Sequence, residues 1–307
     1  MDVLTVATRG GALAVAQTEI VIAALRQVHP DIRIKIKAVT TRGDRDRRTA
    51  LWNLKDTGFF TSQLEDTLLA GQADFAVHSF KDLPTRQREG ITISAVFDRQ
   101  FAQDCLISAN SIRSIEQLPK AAKIGTSSPR RIAQIKHLRP DLQPTDIRGN
   151  VTSRLRKLHE GKYDAIILAR AGIERLGLSD NIAFSFDPTE FIPAAAQGAL
   201  AVQTRTDNTE TAELIAAIDD QRARVTCDAE RRVLSAMQCG CHAPAGAFAE
   251  IIKDDIIIHA FISNLQGTNF IKRKIRGPVA DADKLAEELA RELLDAGGKD
   301  ILKSLER

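Results

Sequence analysis

The chain has 307 residues, 43% of them hydrophobic and 27% charged, which is the make-up of a folded globular protein long enough for about two domains and excludes disordered or collagen-like readings. Lys and Arg number 43 against 40 Asp and Glu, a net charge of +3, without the strongly basic domain that a nucleic-acid binder shows. No apolar run reaches the ~18 residues of a membrane helix, the N-terminus lacks a secretory pattern, and four cysteines are too few for a disulfide scaffold, so the sequence points to a cytoplasmic chain with no membrane partner.

Leu4 to Arg9 reads as a short strand running into a loop. Leu13, Ala16, Ile20, Ala24 and Val28 then recur at helical spacing and predict a helix over 12–28. Residues 32–39 alternate Ile and Ala with Arg and Lys, the pattern of a half-buried strand. A helix over 61–70 stops at Gly71, and 74–78 and 91–96 read as strands. The theme repeats in the middle: a strand runs into GTSS, Pro129 opens a helix, and a second helix spans 151–159. Residues 163–169 form the clearest buried strand, and 194–203 lead into another. A long polar helix over 219–237, alternating strands near 246–252, 255–262 and 269–275, and a helix from 281 to about 295 end the chain. That order, strands and then a helix, marks a separate small α+β domain.

Ligand loops of α/β sheets lie at the carboxyl ends of strands, where Arg9, the Lys81-Asp82 pair and GTSSPRR all fall. Taken alone, each has an ordinary explanation. Lys81 and Asp82 can be a solvated surface pair, or a carboxylate that stabilises a developing cation beside an anion-holding lysine. GTSSPRR (125–131) can be a plain capped helix, or an anion site built from a helix N-terminus and two arginines. Arg148 and Arg154, in the turn and helix after residue 147, can be surface arginines or carboxylate clamps. Cys239, Cys241 and His242 can form part of a zinc site, a strained disulfide, an unreactive loop, or a nucleophilic or attachment thiol. His78 sits in a strand and reads as structural, and packing is the default for Trp52 and Tyr163.

Together the segments ATR (7–9), TRGD (41–44), VHSFKDLPT (77–85), GTSSPRR, IRGNV (147–151), YDAIILARAGIERLG (163–177), PAAAQGALA (193–201) and GCHAPAG (240–246) closely resemble the porphobilinogen deaminase family, in order and over nearly the whole chain. The resemblance implies an α/β fold: two periplasmic-binding-protein-like, doubly wound domains plus a small C-terminal α+β domain. Domain 1 is residues 1–97 and 197–217, domain 2 is 98–196, and domain 3, with the cysteine loop, is 218–307. It implies a transferase that joins four porphobilinogen molecules head to tail into hydroxymethylbilane and releases ammonia. The primer is a dipyrromethane cofactor held by a thioether to Cys241.

By match to the family motifs, Asp82 is the catalytic carboxylate. Lys81, Asp44, Thr126, Ser127, Ser128, Arg130 and Arg131 hold the cofactor. Arg9, Gln17, Arg148, Arg154, Arg175 and Gln197 hold porphobilinogen or the growing chain. No metal site and no nucleic-acid partner are implied, and the chain is expected to act as a monomer. The chemistry explains the residue types, since each porphobilinogen carries two carboxylates and a guanidinium offers paired donors to each. Departures from the family pattern are Gly11 for a serine, Thr57 for a lysine that Lys55 would replace, Cys239 for a glycine, and the added bases Arg47 and Arg48. The other reading is a non-catalytic two-lobed receptor for a small anionic ligand, which leaves the cysteine loop without a purpose.

Overall fold

The computed structural model describes residues 3–41, 61–239 and 243–305. Asp44, Arg47, Arg48, Trp52, Lys55, Thr57, Cys241 and His242 lie outside the described residues. The first described elements in chain order are β1 (Leu4–Arg9), α1 (Ala12–Val28), β2 (Ile34–Val39), α2 (Ser62–Leu69), β3 (Phe75–Ser79) and β4 (Ile91–Phe97). There follow β5 (Asp104–Ser108), β6 (Lys123–Gly125), α3 (Pro129–Leu138), β7 (Gln143–Thr145), α4 (Val151–His159), β8 (Ala165–Ala169), α5 (Arg170–Glu174) and β9 (Phe184–Ser185). The chain continues through β10 (Leu200–Arg205), α6 (Thr209–Ala216), α7 (Gln221–Ala236), β11 (Ala245–Ile252), β12 (Asp255–Ser263), β13 (Phe270–Pro278), α8 (Ala282–Leu293) and α9 (Lys299–Leu305).

These elements form two compact units. The first takes residues 3–41, 61–100 and Gly198–Arg224, and the second takes Phe101–Gln197 and 225–305.

The first unit is a five-stranded sheet in the order β2-β1-β3-β10-β4. β1 runs parallel to both β2 and β3, while β10 is antiparallel to β3 and β4. The helical stripe of α1 buries Val21, Ile22 and Leu25 against Val6, Phe75, Val77 and Val202. β2 begins at Ile34 rather than at residue 32, because Ile32 still donates its N–H to the His29 carbonyl in the turn that ends α1. Helix α6 is not among the elements expected from the sequence, although Asn208 caps it by accepting from the Thr211 N–H, a signal that the residue types carry.

The second unit contains a five-stranded sheet in the order β7-β6-β8-β5-β9. β8 is apolar and buried along its length, yet it is parallel to β6 and antiparallel to β5. Both large sheets are therefore mixed, each with one strand entering from a distant part of the chain and running against its neighbours. The C-terminal part of this unit is the antiparallel sheet β11-β12-β13. Its buried face packs on α7 through Ala229 and Val233 and on α8 through Ala286, Leu289 and Leu293. After α8 the helical path breaks at Gly297, which sits at φ 116°, before α9 completes the chain.

Candidate functional site

In the first unit, the motif after β3 is shaped by two buried side chains. Phe80 has no exposed surface and donates its N–H to the Ala199 carbonyl at 3.0 Å. Leu83 is also buried and closes a single 3-10 turn over Phe80–Asp82 by donating to the Phe80 carbonyl. Lys81 and Asp82 are the residues this turn presents, Lys81 half-buried and Asp82 exposed. Among the described residues Asp82 forms no ion pair or side-chain hydrogen bond.

The other candidates of this unit flank that turn. Arg9 ends β1 and is half-buried. Gln17, read from the sequence as a substrate contact, is buried, with its Nε2 donating to the Ser79 hydroxyl at 2.9 Å, just before the turn. His78 is buried as the sequence implies. Burial, opposed by Gln203 and assisted by the Arg9 charge, pushes it down to about 4, so the imidazole is neutral at pH 7.

In the second unit, β6 ends at Gly125 and the chain turns through Thr126, Ser127 and Ser128 into α3. Thr126 is buried and its hydroxyl accepts from the Ser128 N–H at 3.3 Å. The Ser127 hydroxyl donates to the Ile147 carbonyl at 2.8 Å and accepts from the Ile147 N–H at 3.1 Å. Ser127 thus ties the GTSS turn to the IRGN turn. Ser128 occupies the N-cap of α3 without making a capping bond, which leaves its hydroxyl and the helix N-terminus open to an anion.

Arg130 and Arg131, read from the sequence as anion holders, are both buried and share one protein carboxylate. Arg130 donates to the Ile192 carbonyl at 2.7 Å and to Asp104 at 2.8 Å. Arg131 donates to the Ile167 carbonyl at 3.0 Å and to the other Asp104 oxygen at 2.7 Å. Burial would raise the Asp104 carboxyl, but the two guanidiniums hold it well below the usual carboxylate range. One carboxylate against two guanidiniums leaves a buried surplus of positive charge. The Arg131 Nε is buried and has no hydrogen-bond partner among the described residues.

Arg148 and Arg154 are half-buried and lie in and after the IRGN turn. Gly149 adopts φ 115°, which a residue with a Cβ rarely does, and Asn150 caps α4 by accepting from the Ser153 N–H. Arg154 Nε donates to the Gly149 carbonyl at 2.8 Å. Burial and the like charges of Arg131 and Arg148 push Arg154 down to about 10, an electrostatic environment that an anion relieves. Arg175 sits at the end of α5, half-buried. Gln197, read as a substrate contact, is buried instead, its Nε2 donating to the Ala102 carbonyl at 2.8 Å and to Asp104 at 2.9 Å.

The described residues on either side of Cys241 are hydrogen-bonded to their neighbours. Cys239 donates its N–H to the Leu234 carbonyl at the end of α7, and Ser263 donates its N–H to the Pro244 carbonyl at the start of β11. Gly246 follows closely: a Cβ there would lie 2.6 Å from the Pro193 carbonyl oxygen and 3.0 Å from the Arg130 Cδ, so only glycine lets β11 pass this near the arginine. Burial pushes the Cys239 thiol up to about 12, which favours its protonated form at pH 7.

The residues present fit a dipyrromethane. An unfilled buried Arg131 donor, an uncapped helix N-terminus and a net positive charge suit its carboxylates, and the Gly246 contact puts β11, which follows the cysteine segment, against Arg130. Asp104 carries no signal in the sequence, where it looks like a polar residue opening an apolar strand. Its role requires partners 26 and 27 residues away, separations that no local pattern reveals.

Fold and site together describe an α/β protein whose buried arginines and open helix N-terminus are groups suited to an anion. The family model for the dipyromethane cofactor binding domain of porphobilinogen deaminase matches residues 4–213, and that for the C-terminal domain matches residues 224–295. Similar curated proteins are the porphobilinogen deaminases of Deinococcus radiodurans, 40% identical over 99% of both chains, and Syntrophobacter fumaroxidans, 36% identical over 99% of this chain and 98% of the other. That of Roseiflexus sp. is 40% identical over 97% of this chain and 98% of its own. Among solved structures, the methionine binding protein MetQ aligns with 70% of this chain and 89% of its own at a TM-score of 0.45 and 12% identity.

The chain belongs to the porphobilinogen deaminase family. It is a transferase of tetrapyrrole synthesis that joins four porphobilinogen molecules into hydroxymethylbilane with loss of ammonia and uses a dipyrromethane cofactor. The receptor reading falls away.

Proposed function

We propose the following division of labour among the residues of this chain. Asp82 is the catalytic carboxylate, Cys241 carries the cofactor as a thioether, and Arg131, Ser128, Lys81 and Asp44 hold the cofactor's carboxylates. Arg9, Arg148, Arg154 and Arg175 hold the incoming substrate and the lengthening product. Thr126, Ser127 and Arg130 also belong to the cofactor contacts, and Gln17 and Gln197 to the substrate contacts. The same reading divides the chain into domains at 1–97 with 197–217, 98–196 and 218–307. It also places the protein in the cytoplasm as a monomer whose small-molecule partner is porphobilinogen.

The bound cofactor supplies the nucleophilic pyrrole carbon to which the first substrate is joined. The protein's work is electrostatic. As ammonia leaves porphobilinogen, positive charge spreads into its pyrrole ring. Asp82, in the turn whose Phe80 and Leu83 are buried, offers a negative charge to that ring and an acceptor to its N–H. Lys81 and the arginines orient the two side-chain carboxylates of each unit, which fixes the reacting carbons relative to one another.

The observation that carries the reading is the buried Arg131 Nε, unfilled among the described residues and set in a region of surplus positive charge. It supports a bound anion at the start of α3. The test is the intact mass of the purified protein. An adduct of dipyrromethane mass is expected in the wild type and lost in Cys241→Ser, and an active wild type of unmodified mass refutes the attachment.

A further inference from the structure

Glu230, in the middle of α7, has no exposed surface, and neither the activity nor the motifs above give it a task. One carboxylate oxygen accepts from the Ala249 N–H on β11 at 2.6 Å. The other accepts from the Ala196 N–H at 2.6 Å. Ala196 adopts φ 61°, a left-handed conformation that a residue with a Cβ avoids unless something holds it.

The next residue is Gln197, whose Nε2 donates to Asp104. Asp104 in turn accepts from Arg130 on one oxygen and from Arg131 on the other. The contacts form a continuous buried path: helix α7, the turn at Ala196, the Gln197 carboxamide, Asp104 and the two guanidiniums. Bonds to an ionised carboxylate are about twice as strong as neutral ones, so Glu230 is well suited to hold the turn. Its second arm, to Ala249, fastens the same carboxylate to the strand that begins three residues after His242.

We propose that Glu230 is a positioning residue for cofactor loading: it locks the left-handed turn at Ala196, which aims Gln197 at Asp104 and so sets the direction of the Arg130 and Arg131 guanidiniums. The proposal rests on the reading that these arginines receive the cofactor's carboxylates. A carboxamide at position 230 accepts on only one side. The other side carries an N–H₂ group that faces a backbone N–H, and one arm has to release.

The experiment measures, by intact mass, the fraction of full-length purified chain that carries the adduct, alongside the thermal midpoint. In Glu230→Gln the loaded fraction is expected to fall about tenfold or more, the scale of one lost charge-assisted hydrogen bond. Gln197→Ala, which leaves both Glu230 bonds in place and cuts the path one step later, is expected to show the same deficit and decides the matter if Glu230→Gln does not fold. Adding Ala196→Gly to Glu230→Gln is expected to restore loading, because glycine holds φ 61° unaided. Normal loading in Glu230→Gln with a lowered thermal midpoint overturns the proposal and leaves Glu230 a structural strut, as does normal loading in Gln197→Ala. A wild type without adduct overturns the cofactor reading and the proposal with it, whereas a loaded wild type with fully loaded variants overturns the proposal alone.

Discussion

His78 makes the stability of the first unit depend on pH in a direction that the structure sets. It is buried in β3, two residues before the turn that presents Lys81 and Asp82, and its imidazole titrates at about 4 in the fold against 6.5 in the unfolded chain. Below pH 6.5 the unfolded chain therefore binds a proton that the folded one refuses. Stability rises with pH wherever the unfolded state holds more protons, so this contribution is complete above pH 6.5 and is lost as pH falls towards 4. The gap between 6.5 and about 4, at 1.36 kcal/mol for each pH unit, amounts to about 3 kcal/mol, of which about 2 kcal/mol is gone by pH 5. His78→Gln keeps a polar side chain of similar length without the titration. Urea unfolding of both proteins at pH 7 and pH 5 isolates the effect, since every other titrating group is common to them. The wild type is expected to lose about 2 kcal/mol more than the variant between the two pH values. Equal losses in wild type and His78→Gln would show that the imidazole accepts its proton in the folded state.

Asp82→Asn preserves shape and removes charge, and turnover is expected to fall ~100-fold or more with folding intact, the scale of one lost preorganised electrostatic contact. Asp82→Glu is expected to retain more activity than Asp82→Asn, and a near-normal rate in Asp82→Asn sinks the electrostatic role. Arg131→Leu is expected to yield mostly apoprotein and Arg148→Leu a loaded protein that stalls during elongation; native mass spectrometry after a porphobilinogen pulse separates the two, and two loaded, equally slow variants contradict the division. Gly11 is exposed, and a Cβ there would meet no atom within 4 Å, so Gly11→Ser fits without a clash and adds a hydroxyl beside the start of α1. It is expected to lower KM for porphobilinogen more than it raises kcat, and a kcat gain at constant KM assigns the position to the transition state instead. Cys239→Gly is expected to leave the adduct intact, because burial keeps that thiol protonated; loss of the adduct in that variant contradicts it.

Much of the architecture is local in origin and is legible in the residues. The periodicity of 12–28, the alternation of 32–39, Pro129 at a helix start and the three alternating C-terminal strands each express a repeat of 3.6 or 2 residues, which is set by backbone geometry and by one buried face. Lys81 and Asp82 are legible for a related reason: the flanking Phe80 and Leu83 are large and apolar, so burying them leaves the two charged residues presented.

What only the tertiary structure decided are relations between distant residues. The antiparallel entry of β10 between β3 and β4, and of β5 beside β8, depends on where the chain returns to each sheet, and strand periodicity is the same for either direction. That Arg130 and Gln197 are also partners of Asp104, and that Ser127 ties to Ile147, likewise follows from burial. A buried donor must find an acceptor, and which acceptor lies within about 3 Å is a property of packing, to which the order of residues along the chain gives no direct measure.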